Sequence, residues 1–260
     1  MVARGVDLRM NQLATASVFR QFGPATLTAL AETATLRRFA ENTSLVRLGD
    51  VPSFVYVITQ GKIRLSVPLS DGREFIYSDL GPGEVFDLSS FFVTRHSIMN
   101  AHSLLESDVL QIDAAFASRL FEKHPELACK VIPFFCQAAQ DAQERVIEAT
   151  AHTLSVRLAS TILRITEEPL NSSVLDAGQQ CLRVSQTDLA AMVPASREKV
   201  NRCLREWKRR ALVQYDHGLL TILDRGALKC IALAKGWYRV PQNSHHRNSV
   251  PVRPLHGYTQ

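Results

Sequence analysis

The sequence predicts an α+β protein with an N-terminal β-roll, a long helix and a C-terminal winged helix-turn-helix, in that order. Three patterns support this prediction. Short alternating apolar runs separated by turns fill residues 39–113. Apolar residues then recur at steps of three or four over 125–164, as in an amphipathic helix. Finally, residues 184–213 show two short helical patterns joined by a tight turn.

The N-terminal domain is assigned to residues 18–124. Residues 24–38 predict a helix, since Pro24 suits a first turn. Its apolar face comprises Leu27, Leu30, Ala31 and Ala34. The runs 53–59, 62–69 and 73–80 predict strands of a sandwich or barrel. Asp71-Gly72 between the last two runs is typical of a hairpin turn.

Residues 125–165 are assigned to a dimerisation helix and hinge. Pro133 is expected to kink this helix or to delay its start. A stripe on a helix between two domains favours a dimer seam, with ordinary core packing as the alternative. The predicted seam residues are Val131, Phe135, Ala138, Ala142, Val146 and Ala149. Two cysteines seven residues apart, Cys129 and Cys136, share a helix face.

The C-terminal domain is assigned to residues 166–236. Residues 166–180 predict an interior loop, and 181–184 a short strand. Residues 212–223 alternate around Asp216-His217-Gly218, a hairpin signal that supplies the wing. The tail, 237–260, has no apolar period and is predicted to be mobile.

The helix-turn-helix is delimited by capping residues. Ser185 opens its first helix, with Asp188 three residues later as a capping box. Pro194-Ala195 interrupts the chain, and Ser196 is placed to cap a second helix. Its predicted buried side is Val200, Leu204 and Trp207.

The opposite face of the second helix is basic, which suits a recognition helix in a DNA major groove. A merely solvated basic face is the alternative, but the helix-turn-helix spacing and the wing favour DNA. The predicted base-reading residues are Arg197, Glu198, Asn201 and Arg202. The predicted phosphate contacts are Ser185, Thr187, Ser196, Lys199, Arg205, Lys208 and Arg209.

Composition restricts the class of protein. The 260 residues carry a formal net charge of +5, a mild excess that favours approach to phosphate. No apolar run approaches the ~20 residues of a membrane span, and the N-terminus lacks a signal-peptide pattern. The five scattered cysteines favour a reducing compartment, so we expect a cytoplasmic protein. No spacing typical of a catalytic, metal or cofactor site is present, so no enzyme, metal or cofactor is predicted.

Over roughly residues 18–234 the chain resembles the CRP/FNR superfamily of bacterial transcription regulators. GKIRLSV (61–67) followed by a hairpin and GPGEVFD (81–87) resembles the β-roll of a cyclic-nucleotide-binding domain. The long helix is similar to the family's dimerisation helix. SREKVNR (196–202) matches the family's recognition-helix motif, which is the most specific of the three.

The resemblance implies a homodimer that reads an inverted repeat of TGTGA-like half-sites with Arg197, Glu198 and Arg202. Two positions depart from the pattern: Pro194 stands where the family often has glycine, and Asn201 replaces a small residue. Asn can pair with adenine, so one base preference is expected to differ. RNA polymerase is a further candidate partner, although the sequence does not distinguish activator from repressor.

The resemblance also places the effector pocket. Family members that bind cyclic AMP carry Gly-Glu and, about ten residues later, Arg-Ser. Here Asp87-Leu88 and Ser97-Ile98 occupy those places, and Arg95 is two residues from the required position. A phosphate buried without a cation is costly, so control by cyclic AMP is not expected.

Three interpretations of the sensor domain remain open. It is structural only, it binds another ligand such as a cyclic dinucleotide or a haem-borne gas, or it responds through a thiol. His96 and His102 are the candidate haem ligands, although such histidines are far more often ordinary surface or core residues.

Overall fold

A computed structural model describes residues 2–93, 95–167, 172–174 and 180–233. The tail predicted to be mobile, 237–260, lies outside these residues. Within them, an N-terminal β-roll, a long helix and a C-terminal helix-turn-helix with a hairpin follow one another, which confirms the predicted fold class.

The β-roll consists of two four-stranded antiparallel sheets, ordered β1-β8-β3-β6 and β2-β7-β4-β5. Their apolar inner faces pack together around residues such as Tyr56, Ile63 and Leu65. The strands are β1 (Thr35–Phe39), β2 (Ser44–Val46), β3 (Phe54–Gln60), β4 (Ile63–Pro68), β5 (Glu74–Leu80), β6 (Val85–Phe86), β7 (Asn100–Ser103) and β8 (Ser107–Asp113).

Helices cover the outer face of the first sheet. They are α1 (Val2–Thr15), α2 (Pro24–Thr33) and α3 (Ala114–Lys123). Side chains such as Leu13 and Leu30 from the first two helices pack on Val55 and Leu110 of the sheet in one continuous core. Helix α1 was not predicted from the sequence, and it begins before the expected start of the domain at residue 18.

The helix predicted over 24–38 is shorter than expected. It ends at Thr33, because Ala34 takes an extended conformation with ψ 140°. The next five residues form β1 and pair with β8 from Thr35↔Gln111 to Phe39↔Ser107. Pairing with a strand about 70 residues away thus overrides a local helical pattern.

The predicted hairpin at Asp71-Gly72 is confirmed. Strands β4 and β5 pair from Ile63↔Leu80 to Pro68↔Glu74. Gly72 has a φ of 80°, and the Leu69 amide donates to the Arg73 carbonyl at 2.7 Å across the turn. A positive φ is inexpensive for glycine, which explains the residue at this position.

The helical zone predicted over 125–164 is two helices. They are α4 (Glu126–Ala151) and α5 (Leu154–Glu167), and they are separated at His152 and Thr153, where His152 is extended. Pro133 lies inside α4, so it does not delay the start of the helix.

The C-terminal domain combines three helices with a four-stranded sheet ordered β11-β12-β10-β9. Its elements are β9 (Ser172–Val174), β10 (Gln180–Arg183), α6 (Gln186–Met192), α7 (Arg197–Arg209), β11 (Val213–Asp216), β12 (Leu219–Ile222) and α8 (Arg225–Leu233). The strand predicted at 181–184 corresponds to β10. The loop predicted at 166–180 instead contains the end of α5 and, in β9, a strand paired with β10.

The two domains meet where α6 lies against β5. Arg64 of β4 donates to both carboxylate oxygens of Asp79 at 2.7 and 2.8 Å, and to Asp188 of α6 at 3.0 Å. The Arg64 side chain is only 11% exposed. We refer to Arg64, Asp79 and Asp188 as the interdomain clasp.

Candidate nucleic-acid interface

The helix-turn-helix is built by its capping residues and its apolar side. The Ser185 hydroxyl accepts from the Asp188 amide at 3.0 Å, and the Ser196 hydroxyl accepts from the Lys199 amide at 3.4 Å. Both predicted caps are therefore present. The predicted buried side is also confirmed: the exposed fractions are 0% for Val200, 2% for Leu204 and 1% for Trp207.

Asp188, which was predicted as a capping-box residue, has a different side-chain partner in the structure. Its carboxylate accepts from Arg64 of the sensor domain. Burial works against the Arg64 charge, but Asp79 and Asp188 together hold the pKa of Arg64 above its usual value. The first helix of the DNA-binding unit thus makes a charged contact with the sensor.

The outer face of α7 carries the predicted DNA contacts. Arg197, Glu198 and Arg202 are exposed on its first two turns, as base reading requires. Asn201 is half-buried and accepts from the Gln186 amide at 3.4 Å, so reading a base would require this contact to break. The predicted phosphate contacts are half-buried at Ser196 and exposed at Ser185, Thr187, Lys199, Arg205, Lys208 and Arg209.

The wing is fixed against α7 and β10. The Lys208 ammonium lies 3.2 Å from the Asp216 carboxylate, and the Tyr215 hydroxyl donates to the Val184 carbonyl at 3.0 Å. His217 and Gly218 at the tip have φ of 49° and 82°, as two-residue hairpins prefer. The hairpin prediction is therefore confirmed.

The predicted effector-pocket residues have dissimilar surroundings. Asp87 has a φ of 57° and precedes a 3-10 helix, Leu88–Phe91. Its Oδ2 is buried without a hydrogen-bond partner among the described residues, and burial raises its pKa to about 6. Leu88 packs against the core beneath the first sheet.

The other three pocket residues lie toward solvent or a neighbouring loop. Arg95 is exposed, and Ile98 is 74% exposed. The Ser97 hydroxyl donates to the Met99 carbonyl, and the Ser97 amide donates to the backbone carbonyl of Asp50. No hydrogen bond or ion pair joins them to Asp87 or Leu88 within the described residues, so the structure gives no assembled phosphate site there.

The residues of the predicted dimer seam differ in their exposure. Val131 is fully buried within the chain, because the first turns of α4 pack against the sensor core. Phe135 is half-buried, while Ala138, Ala142, Val146 and Ala149 are exposed. Ile132 and Ile147, which are not among the predicted seam residues, are 52% and 49% exposed.

An apolar groove adjoins this exposed part of α4. It has a volume of about 370 Å³, and its lining includes Phe92, Val93, Ile132 and Phe135. Cys129 and Cys136 are exposed free thiols on the same helix. Burial raises the pKa of the Cys203 thiol on α7, which disfavours a reactive thiolate there.

Among the described residues, no group of three or more His, Cys, Asp or Glu side chains is arranged to hold a metal ion. No helix in the same part of the chain has the length and apolar character needed to cross a bilayer.

Two family models match the two domains separately. The cyclic nucleotide-binding domain family matches residues 36–124, and the Crp-like helix-turn-helix domain family matches residues 156–231. The chain belongs to the CRP/FNR superfamily of transcription regulators. This CRP/FNR regulator therefore carries a DNA-binding helix-turn-helix beside a cyclic-nucleotide-binding-type sensor.

Relatives along the sequence are transcription regulators. The HTH-type transcriptional regulator Cmr of Mycobacterium tuberculosis is 24% identical, over 79% of this chain and 80% of the relative. The CRP-like cAMP-activated global transcriptional regulator of the same species is 21% identical, over 82% of this chain and 94% of the relative.

Solved structures share the fold. TTHA1359, a CRP/FNR-family regulator of Thermus thermophilus, aligns with a TM-score of 0.66 at 22% identity, over 78% of this chain and all of that chain (100%). The c-di-GMP responsive regulator CLP of Xanthomonas campestris aligns with a TM-score of 0.67 at 19% identity, over 77% and 99% of the respective chains.

Proposed function

We propose that this regulator is a homodimer that reads an inverted repeat of TGTGA-like half-sites. The observation that carries the proposal is the outer face of α7, where Arg197, Glu198 and Arg202 are exposed above a fully buried apolar side. Arg can donate two hydrogen bonds to guanine, and Glu can accept from cytosine. Asn201 reads a base once its hydrogen bond with the Gln186 side chain has broken.

The phosphate contacts supply the sequence-independent part of the affinity. They lie on and just before α6 and α7, and all of them except the half-buried Ser196 are exposed. Each neutralised phosphate releases counterions, so the affinity falls steeply with salt concentration. The phosphate-contact residues are Ser185, Thr187, Ser196, Lys199, Arg205, Lys208 and Arg209.

The second copy in the proposed dimer packs on the exposed apolar stripe of α4. Ile132, Phe135, Ala138, Ala142, Val146 and Ala149 follow one another at steps of three and four. Val146 is 62% exposed in the single chain, which is unusual for a large apolar residue on a helix. A parallel pairing along this stripe would bury it and present two copies of α7 to paired half-sites.

The sensor domain is proposed not to respond to cyclic AMP. Leu88 offers no hydrogen-bond acceptor for a ribose, and Arg95 faces solvent. The alternative is a sensor of the same family whose effector gates DNA binding. It is supported by relatives named as cAMP-activated and by the fold shared with a c-di-GMP responsive regulator.

Fluorescence anisotropy tests the proposal. The purified protein is titrated onto a TGTGA inverted-repeat duplex and a scrambled duplex at about 150 mM salt, with and without cyclic AMP. We expect tight, selective binding in both conditions. Selective binding only with cyclic AMP would contradict the effector proposal, and no selectivity in either condition would contradict the proposed half-site.

A further inference from the structure

The interdomain clasp joins the sensor to the helix that carries proposed phosphate contacts. Arg64 belongs to β4 of the sensor, whereas Asp188 belongs to α6, the first helix of the helix-turn-helix. In helix-turn-helix proteins this first helix crosses the DNA backbone. Asp188 directly follows Thr187 and lies three residues after Ser185, both of which are exposed. The same turn of the chain therefore carries a carboxylate and two proposed phosphate contacts.

The Asp188 carboxylate keeps part of its surface in solvent. Its Oδ1 accepts from Arg64 at 3.0 Å, yet the side chain is 34% exposed. Burial raises the pKa of Tyr215 in β11, and the nearby Asp188 carboxylate raises it further, against the opposite effect of Arg197. The charge of Asp188 therefore acts close to Arg197, a proposed base-reading residue.

The clasp contains one cation and two anions. Arg64 donates through Nε and Nη2 to Asp79, and through Nη1 to Asp188. The Asp79 side chain is only 9% exposed, so Asp188 is the carboxylate of the clasp that faces solvent more. Loss of the guanidinium charge would make this region more negative, which disfavours an approaching phosphate.

We propose that Arg64 of the sensor raises the DNA affinity of the other domain by partly neutralising Asp188. The Asp188 carboxylate opposes the approach of DNA phosphates, and the guanidinium reduces this repulsion across the domain boundary. Arg64 is thus a positioning residue that acts through Asp188. The inference rests on the proposed phosphate contacts of α6 but not on the proposed half-site, because the DNA backbone carries no sequence information directly.

The clasp gives the sensor a route to the DNA-binding domain. Since β4 is a strand of the β-roll, a change in the sensor that separated β4 from α6 would weaken the contact between Arg64 and Asp188. Coulomb attraction falls with distance, and salt screens it further. DNA affinity would then decrease although no residue that contacts DNA had been replaced.

Two other roles of the same contact make different predictions. If the clasp held the domain in an arrangement that excludes DNA, loss of either Arg64 or Asp188 would raise the affinity. If it held the arrangement that binds DNA, loss of either would lower the affinity. In the proposed mechanism the two substitutions act in opposite directions.

Fluorescence anisotropy of the full chain on the scrambled duplex, at about 50 mM and 200 mM salt, tests the inference. The variants are Arg64→Gln and Asp188→Asn, alone and together. Glutamine can still donate to Asp79, and the asparagine oxygen can still accept from Arg64. The matched controls are Arg38→Gln and Asp108→Asn, which form a bidentate pair at 2.7 and 2.8 Å in the other sheet. Thermal unfolding identifies any variant that has lost its fold.

At the lower salt concentration we expect Arg64→Gln to weaken binding about threefold and Asp188→Asn to strengthen it about twofold. The double variant should bind more tightly than Arg64→Gln, and the controls should bind as the wild type does. Both effects should shrink at the higher salt concentration, because salt screens exposed charges.

The proposal is overturned if the two single variants change the affinity in the same direction or leave it unchanged, or if the double variant binds no more tightly than Arg64→Gln. If Arg64→Gln does not fold, Asp188→Asn decides, and binding that is not strengthened overturns the proposal. Because the scrambled duplex contains no half-site, these outcomes are independent of TGTGA recognition. A wild-type protein that bound no duplex would contradict the proposed function and this inference together.

Discussion

Replacement of Arg197 gives the most direct test of how the protein recognises bases in DNA. Arg197 is exposed on the first turn of α7 and makes no hydrogen bond or ion pair with the described residues that would hold it away from DNA. Replacing it with alanine should cost about 1–3 kcal/mol on the preferred duplex and relax selectivity at one base pair. Anisotropy on duplexes with single base changes measures both effects.

Arg205 on the same helix is the matched control. Because Arg205 is assigned to a phosphate, Arg205→Ala should weaken binding to all duplexes alike. It should also reduce the slope of log affinity against log salt concentration by about 1. If Arg197→Ala also weakened binding to the matched and the scrambled duplex equally, Arg197 would be a phosphate contact and its assignment to base reading would be wrong.

Asp87 should make stability depend on pH. Its folded pKa is about 6 against an ordinary 3.8, because burial disfavours its charge. Between these values the folded protein binds more protons than the unfolded chain, so stability falls as pH rises. Asp87→Asn removes the charge and tolerates the left-handed backbone. We expect Asp87→Asn to raise the free energy of unfolding by about 1–2 kcal/mol at pH ~7. This value is reduced to allow for the partial exposure of Asp87.

Urea unfolding at about pH 4 and pH 7 measures the change. The increase in the free energy of unfolding caused by Asp87→Asn should be much smaller at about pH 4, where the carboxyl of Asp87 in the folded protein is already neutral. Glu122→Gln, at an exposed site on α3, is the control. An equal gain at both pH values would show that the charge of Asp87 is not the cause.

The clasp is the feature to test at the scale of elements. It joins β4 to α6 through Arg64 and Asp188, whose side chains are 11% and 34% exposed. A double-mutant cycle with Arg64→Met and Asp188→Ala, read by urea unfolding, should give a coupling of about 1 kcal/mol. The exposed pair Lys208 and Asp216 should give less, about 0.5 kcal/mol or below.

Hydrogen exchange identifies where the clasp acts. Asp188→Ala should speed exchange in α6, because the variant loses its contact with the sensor, while the Ser185 cap remains. Coupling energies that are equal in the two pairs, with unchanged exchange in α6, would show that the clasp does not fasten the domains.

Elements with strong local signals could be predicted from the sequence. The caps at Ser185 and Ser196 and the hairpins at Gly72 and Gly218 each depend on a few neighbouring residues. The β1 strand could not, because at the sheet edge its residues are mostly exposed and show no alternation. The break at His152 and Thr153 contains neither glycine nor proline, so no local signal announces it.

The same limit applies to the candidate site. The basic face of α7 follows from helical spacing alone, since its buried side lies within the same helix. Val131 and Val146 belong to one apolar stripe, yet one is fully buried and the other 62% exposed. Only the packing of the first turns of α4 on the sensor separates them, and this packing is not encoded in the spacing.

Dimerisation is a property of the whole molecule, and Val146 tests it. Val146→Asp places a charge on the exposed stripe of α4, where a dimer would have to bury it. We expect the dimer dissociation constant to rise about 100-fold or more, measured by sedimentation equilibrium. Affinity for the inverted repeat should fall much more than affinity for a single half-site.

Gln140→Asp, exposed on another face of α4, is the matched control and should leave the dimer intact. A wild-type protein that remains monomeric at high concentration, or a Val146→Asp variant that dimerises normally, would show that the copies associate elsewhere.

The break between α4 and α5 has a geometric consequence for reading DNA. The 13-residue α7 is about 20 Å long at ~1.5 Å per residue. A change at the break that rotated α7 by about 10° would displace one end of this helix relative to the other by about 3.5 Å, close to the ~3.4 Å between neighbouring bases. Small torsional changes at these two residues would therefore tilt α7 by about one base step, and in the proposed dimer the backbone stiffness of the break would limit which spacing between half-sites is accepted.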